Sequence, residues 1–220
     1  MTQSGSSLFI KIINQRNRFL HSVNRYWKMP ECSAEPLFEI IPRGFKIKVV
    51  EIGTRYGESA VKINREFAIG EYICVDPYVD YEEYEGDDFS KVLKSDYKVF
   101  KKVSRSLKLR MGSRVKFIRE FSEKAASQID DNYADFIFID GNHAYEYVHE
   151  DLRNYWPKVK SGGILAGHDY WHRSISNGGH FDSWMVFEAV KDFADEYGIS
   201  YLTYGQHGEF PACFAFIKGK

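Results

Sequence analysis

The stretch "VVEIGTRYGESA", residues 49–60, decides how the rest of the chain is read. An apolar run ends on an acid, Glu51. Gly53 and Gly57 follow, and helix-compatible residues resume directly after. A strand that breaks at glycine and restarts as a helix opens a βαβ unit. Missing side chains at such a turn let a ligand reach the backbone and let the helix pack close to the strand.

Outward from this turn the pattern repeats. Apolar strand-like runs at 45–52, 71–76, 115–119, 135–140 and 163–169 alternate with helical patterns at 57–67, about 89–109, 122–129, 145–156 and 183–197. Short continuous apolar strands between helices predict a mostly parallel sheet covered on both faces. Two further runs, 199–205 and 212–219, are separated only by "QHGEFP", a hairpin spacing, so the last strand is expected to run antiparallel. The fold class is therefore α/β, a Rossmann-like, doubly wound, seven-stranded sheet. Upstream, Leu8, Phe9, Ile12, Ile13, Phe19, Leu20 and Val23 recur at helical spacing, and prolines stand at 30, 36 and 42. Residues 1–44 read as an N-terminal helical extension and 45–220 as the main domain. The opening "TQSGSS" reads as a linker, which would make the chain part of a longer protein.

With 220 residues there is enough chain for one α/β domain with a sizeable core. Thirty basic residues against 31 acidic ones leave a net charge of −1, so total charge argues for no nucleic-acid partner. Three cysteines, Cys32, Cys74 and Cys213, form no CxxC pair, which argues against a zinc cluster or disulfide framework. That places the protein in a reducing compartment, the cytoplasm. No apolar run is long enough to span a membrane, and the start lacks a signal-peptide pattern. One segment breaks the rhythm. Residues 77–90 are acidic, and from Lys91 to Arg119 there are eleven Lys or Arg and one acid. Leu93, Tyr97, Phe100 and Leu107 mark the apolar side of an amphipathic helix whose outer face is cationic. That face reads as solvated. As a binding surface it would suit an anionic glycan, a nucleotide moiety or nucleic acid.

In an open parallel sheet, ligands bind at the carboxyl ends of the strands. A dinucleotide turn wants G-x-G-x-x-G, and this one is G-x-x-x-G. Glu51 before it would repel a pyrophosphate and welcome an ammonium or sulfonium, which favours S-adenosylmethionine over NAD. The next strand ends in "ICVDPY", where Asp76 stands at the ribose-binding position.

Together with "FIREFSEKAA" and "FIFIDGNHAYEYVHEDLRNYWPKVKSGGILAGHDYW", these motifs make the chain resemble class I S-adenosylmethionine-dependent methyltransferases of the macrocin and cephalosporin O-methyltransferase-like group. The resemblance covers about residues 45–195. It implies that Glu51 and Gly53 sit by the methionine part of the cofactor, within a turn that also holds Thr54, Tyr56, Gly57 and Ser59. It places Asp76 by the ribose, Phe121 and Ser122 around the adenine, and Asp140 facing the transferable methyl.

The longest motif has its own logic. "FIFID" delivers Asp140 to the carboxyl edge, and His143 lies in the following loop. "GILAGHD" delivers His168 and Asp169 to the same edge. Methyl transfer to a hydroxyl needs alignment and a base for the proton. Asp140 is the first choice for that base and His143 the second, although a free Asp, with a pKa near 3.9, is a poor one. Relatives bind Mg²⁺ through an acid at the first strand end and two at the next. Here His168 stands where an acid is expected, and Mg²⁺ prefers all-oxygen sites. No essential metal is expected, and a divalent cation between Asp140 and Asp169 is the alternative.

The loop "YWHRSISNGGHFDSW" offers His172, Arg173, His180 and Trp184 for the acceptor. These polar and aromatic groups, with the missing acid at His168, favour a sugar or glycan hydroxyl, such as a 6-deoxyhexose, over a metal-chelated catechol. The N-terminal helices and the acidic 77–90 loop read as a second wall of the site or a homodimer contact. The rivals are a metal-assisted small-molecule O-methyltransferase, an NAD-linked oxidoreductase, and a nucleic-acid-binding module built on the basic helix.

Overall fold

The computed structural model describes residues 33–79, 97–170, 185–205 and 212–219. In it the apolar runs form one seven-stranded sheet. In chain order the elements are β1 (Ile47–Ile52), α1 (Glu58–Glu66), β2 (Ile69–Val75), α2 (Tyr97–Met111), β3 (Val115–Ile118), α3 (Ser122–Ala126), β4 (Ala134–Ile139), α4 (Tyr145–Tyr155), β5 (Val159–Gly167), α5 (Val186–Tyr197), β6 (Leu202–Tyr204) and β7 (Cys213–Ile217). The strand order is β3-β2-β1-β4-β5-β7-β6. β7 runs antiparallel to both its neighbours, and the other pairs are parallel. The order reverses between β1 and β4, the switch point at which a doubly wound sheet leaves a crevice.

Alternation along the strands sorts the core. Val50 and Ile52 pack with Ile137, Ile139 and the apolar sides of α3, α4 and α5. Val49 packs on the other face with Tyr72, Phe136, Phe138 and residues of α1 and α2. Covering both faces is why these strands read as continuous apolar runs. α5 stops at Gly198, whose left-handed backbone (φ 61°) lets its N–H reach back to Ala194 and Asp195 carbonyls.

Several details differ from the sequence reading. β5 begins at Val159, ahead of the expected start at 163, because Val159 pairs with Ala134. β6 is only Leu202–Tyr204. The buried stripe of α2 is Val103, Ser106, Leu107 and Met111. Tyr97, expected inside, is 50% exposed and lies under the Arg119 guanidinium at 5.1 Å. Of the predicted extension, residues 33–44 carry one 3-10 turn, Glu35–Leu37, and Ala34, Leu37 and Ile41 join the same core as Val49. The N-terminal helices, the acidic stretch 80–90 and the start of the basic helix lie outside the described residues. Among the described residues no helix is long and apolar enough to cross a membrane.

Candidate active site

The hydrogen-bond ladder runs one residue past the strands at the carboxyl edge. Asp76 N–H donates to Ile118 O, Gly53 N–H to Val75 O, Asp140 N–H to Ile52 O and His168 N–H to Ile139 O, at 2.9–3.2 Å. Asp76, Gly53, Asp140 and His168 therefore stand in one row across four strand ends. Three loops on this edge hold a non-glycine residue at positive φ: Arg55 (42°), Tyr78 (50°) and Asp169 (54°). Such backbone persists only where the surroundings over-determine it, and it clusters at functional sites.

The glycines of the first turn prove to be packed against protein. Gly53 has φ 83°, and a Cβ there would lie 2.0 Å from the Asp140 carbonyl oxygen. Gly57 has φ 73°, and its Cβ would press on Val103 at 3.0 Å and Leu107 at 3.3 Å. The expected close approach of a ligand to these backbones is thus filled on one side by the β4–α4 loop and by α2. Gly53 sets the width of the crevice between β1 and β4.

Glu51 is 2% exposed, and its carboxyl accepts the Tyr72 hydroxyl at 3.0 Å. Burial pushes its pKa well above the ordinary value, and the nearby acids Asp140 and Asp76 add to that despite the Tyr72 hydrogen bond. A buried acid with a strongly shifted pKa beside a crevice is a feature of functional sites. Thr54 is buried, with its hydroxyl 3.5 Å from Glu51 O, and Ser59 is buried in the first turn of α1. Tyr56 lies under the Arg55 guanidinium at 4.7 Å. The Asp76 carboxylate accepts the backbone N–H groups of Arg55 and Tyr78, both at 2.8 Å, and so ties the first two loops together. Phe121 caps α3 and is 44% exposed, and Ser122 accepts the Tyr155 hydroxyl on its carbonyl at 2.9 Å.

Asp140, His143, His168 and Asp169 come together. His143 Nε2 lies 2.8 Å from Asp169 Oδ2 and 3.9 Å from Asp140 Oδ1. His168 Nδ1 lies 3.1 Å from the other Asp169 oxygen. Burial alone would lower the pKa of His143, but the two carboxylates outweigh it and raise it to about 9. Burial would likewise raise Asp169, but His143 and His168 hold it well below the usual carboxylate range. His168 is raised by Asp169 against the effect of its burial. The loop is pinned by the Met185 N–H, which donates to His143 O at 2.9 Å. A small cavity beside it is lined by Asp140, His143, Val148, His168, Val186 and Phe214.

Two residues escaped the sequence reading. Ser33 donates its hydroxyl to Asp140 Oδ2 at 2.7 Å, a contact spanning 107 residues of chain that no local pattern announces. Asp151 is 2% exposed on α4, and burial pushes its pKa to about 7 while a hydrogen bond to Ser122 pulls the other way. Its position on the Val148–Leu152–Tyr155 stripe was a visible signal, since an acid on the apolar side of a helix is seldom structural filler. His172, Arg173, His180 and Trp184 lie outside the described residues.

A family model described as a methyltransferase domain matches residues 50–170, and the chain belongs to that family. The family implies S-adenosylmethionine as methyl donor. The protein y4gI of Sinorhizobium fredii (strain NBRC 101917 / NGR234), itself uncharacterised, is 25% identical over 168 residues, which are 72% of this chain and 17% of that protein. The chain thus spans less than a fifth of the length of this curated relative. Among solved structures, the O-methyltransferase NovP superposes with a TM-score of 0.59 at 15% identity, over 86% of this chain and 77% of NovP. An rRNA methylase from Streptococcus thermophilus superposes with a TM-score of 0.56 at 11% identity, over 87% of this chain and 99% of that one. At such identities the likeness is one of fold.

Proposed function

We propose that the chain transfers the methyl group of S-adenosylmethionine to a hydroxyl oxygen of a sugar or glycan, a 6-deoxyhexose being the preferred class. The observation that carries the reading is the convergence of Asp140, His143, His168 and Asp169 on the strand ends beside the buried acid Glu51. The residues fit a cationic cofactor. Glu51 and Asp140 bring two carboxyl groups to the switch point, and Asp76 stands one strand over at the ribose position. Phe121 and Ser122 frame the adenine side. When bound, S-adenosylmethionine supplies a methyl group made electrophilic by a positively charged sulfur.

The chain's own task is to hold the acceptor hydroxyl and remove its proton. Asp140 already accepts the Ser33 hydroxyl, so one of its oxygens is engaged. Neutral His143 therefore takes the proton, with Asp140 as its charge partner. The imidazolium formed lies beside the carboxylates of Asp169 and Asp140. His168 shares Asp169 and stands at the same strand edge, the side proposed for the acceptor. The loop residues His172, Arg173, His180 and Trp184 are proposed for acceptor recognition.

A second reading rests on one observation. One donor atom each from Asp140, His143 and Asp169 lie within 4.8 Å of one another, close enough to share a divalent cation. One nitrogen and two carboxylate oxygens suit Mn²⁺, Fe²⁺ or Zn²⁺ better than Mg²⁺. One assay tests both readings: a panel of deoxysugar, glycan and catechol acceptors with methyl-labelled cofactor, read by mass spectrometry with and without EDTA. The expected result is a labelled sugar product that persists in EDTA. A labelled catechol, lost in EDTA and restored by Mn²⁺, would instead establish the metal-assisted small-molecule enzyme.

A further inference from the structure

Ser33 belongs to the segment before β1, outside every motif of the sheet, yet it reaches the centre of the crevice. Its hydroxyl donates to Asp140 Oδ2 at 2.7 Å and lies 3.4 Å from the Ser59 hydroxyl of α1. The segment that carries it is anchored. Ala34 and Leu37 are fully buried, Cys213 Sγ–H donates to Ser33 O at 3.2 Å, and Pro36 fills the space where a Cβ on Gly205 would stand. Ser33 is thus a fixed strut between the N-terminal segment, β7 and the switch point.

Asp140 has two oxygens with different neighbours. Oδ1 faces His143, and Oδ2 faces Ser33. A hydroxyl donating to a carboxylate makes a charge-assisted bond that fixes the side-chain rotamer. Ser59 brings the β1–α1 turn to the same point, and Glu51, at the base of that turn, is close enough to Asp140 for their charges to couple. The acids and hydroxyls gathered here match an ammonium beside a carboxylate, the amino-acid end of the cofactor. Asp76 serves the opposite side of the turn, through the backbone N–H groups of Arg55 and Tyr78.

We infer that Ser33 is a positioning residue: it holds the Asp140 carboxylate in place to receive the ammonium of the cofactor's amino-acid end. The inference rests on the methyltransferase reading above, and the test separates the two. Binding is measured by calorimetry with S-adenosylhomocysteine and, by competition, with 5′-methylthioadenosine, which lacks the amino-acid end. The proteins are the wild type, Ser33→Ala and Ser33→Thr, with thermal midpoints recorded for each. The inference predicts that Ser33→Ala binds S-adenosylhomocysteine about tenfold more weakly, binds methylthioadenosine as the wild type does, and keeps its thermal midpoint. Ser33→Thr, which retains the hydroxyl, restores the affinity. Equal binding by Ser33→Ala, or an equal loss for both ligands, overturns the inference while leaving the functional reading intact. A wild-type protein that binds neither ligand overturns both.

Discussion

Gly53→Ala is expected to destabilise the protein by about 3 kcal/mol or more and to weaken S-adenosylhomocysteine binding by at least about a hundredfold. Two costs add. The φ of 83° is strained for any residue with a Cβ, and the new methyl group would lie 2.0 Å from the Asp140 carbonyl oxygen, which is backbone and cannot rotate away. The β4–α4 loop has to move, and Asp140 and His143 move with it. In a chain of this size the stability loss lowers the thermal midpoint by roughly 6–12 °C. Gly112→Ala is the control. Gly112 also has positive φ, at 64°, but nothing lies within 4 Å of the added atom, so only the backbone cost of about 1 kcal/mol applies. A Gly53→Ala protein that melts and binds like Gly112→Ala would show that the contact between the two loops does not shape the crevice.

His143→Ala is expected to lower kcat by about 10²–10⁴-fold while leaving S-adenosylhomocysteine affinity within about threefold of the wild type. The pH profile carries the sharper form of this prediction. His143 must lose its proton to act as a base, and its pKa is raised to about 9. The wild-type kcat should therefore climb about tenfold per pH unit above neutrality and level off near pH 9. Were Asp140 the base, the rate would be flat over that range. Stability runs the other way. A histidine whose pKa rises on folding contributes stability that is fully present below about pH 6.5, its unfolded value, and is lost as pH rises through about 9. Rate and stability thus oppose one another across the alkaline range. Rate and midpoint measured on the same pH series will show whether one imidazole governs both.

Much of this architecture was legible in the sequence because a covered parallel sheet writes itself as apolar runs between helices. The strand ends at Glu51, Asp76, Asp140 and Asp169 could be named because an acid after such a run marks the carboxyl edge. The ladder that sets Asp76, Gly53, Asp140 and His168 in one row follows from parallel register, so neighbouring strand ends implied a shared crevice. The pairing within that crevice was not legible. Whether His143 faces Asp140 or Asp169 depends on loop dihedrals, including the left-handed backbone of Asp169, and no spacing rule encodes them. The glycines were read as room for a ligand and for close helix packing, but the neighbours that press on them, Asp140, Val103 and Leu107, could not be named. Long-range packing of this kind is invisible to a local pattern. Ser33 stayed hidden for the same reason, and the apolar phase of α2 slipped because Tyr97 and Phe100 serve as platforms for Arg119 and are not core.

The central claim is that the crevice between β1 and β4 takes the amino-acid end of a sulfur nucleoside against Glu51 and Asp140. Titration calorimetry of the wild type and Glu51→Gln with S-adenosylhomocysteine tests it most directly. The account predicts micromolar binding by the wild type and at least about tenfold weaker binding by the variant, with both proteins folded. No heat from a folded wild-type protein at millimolar ligand would contradict it.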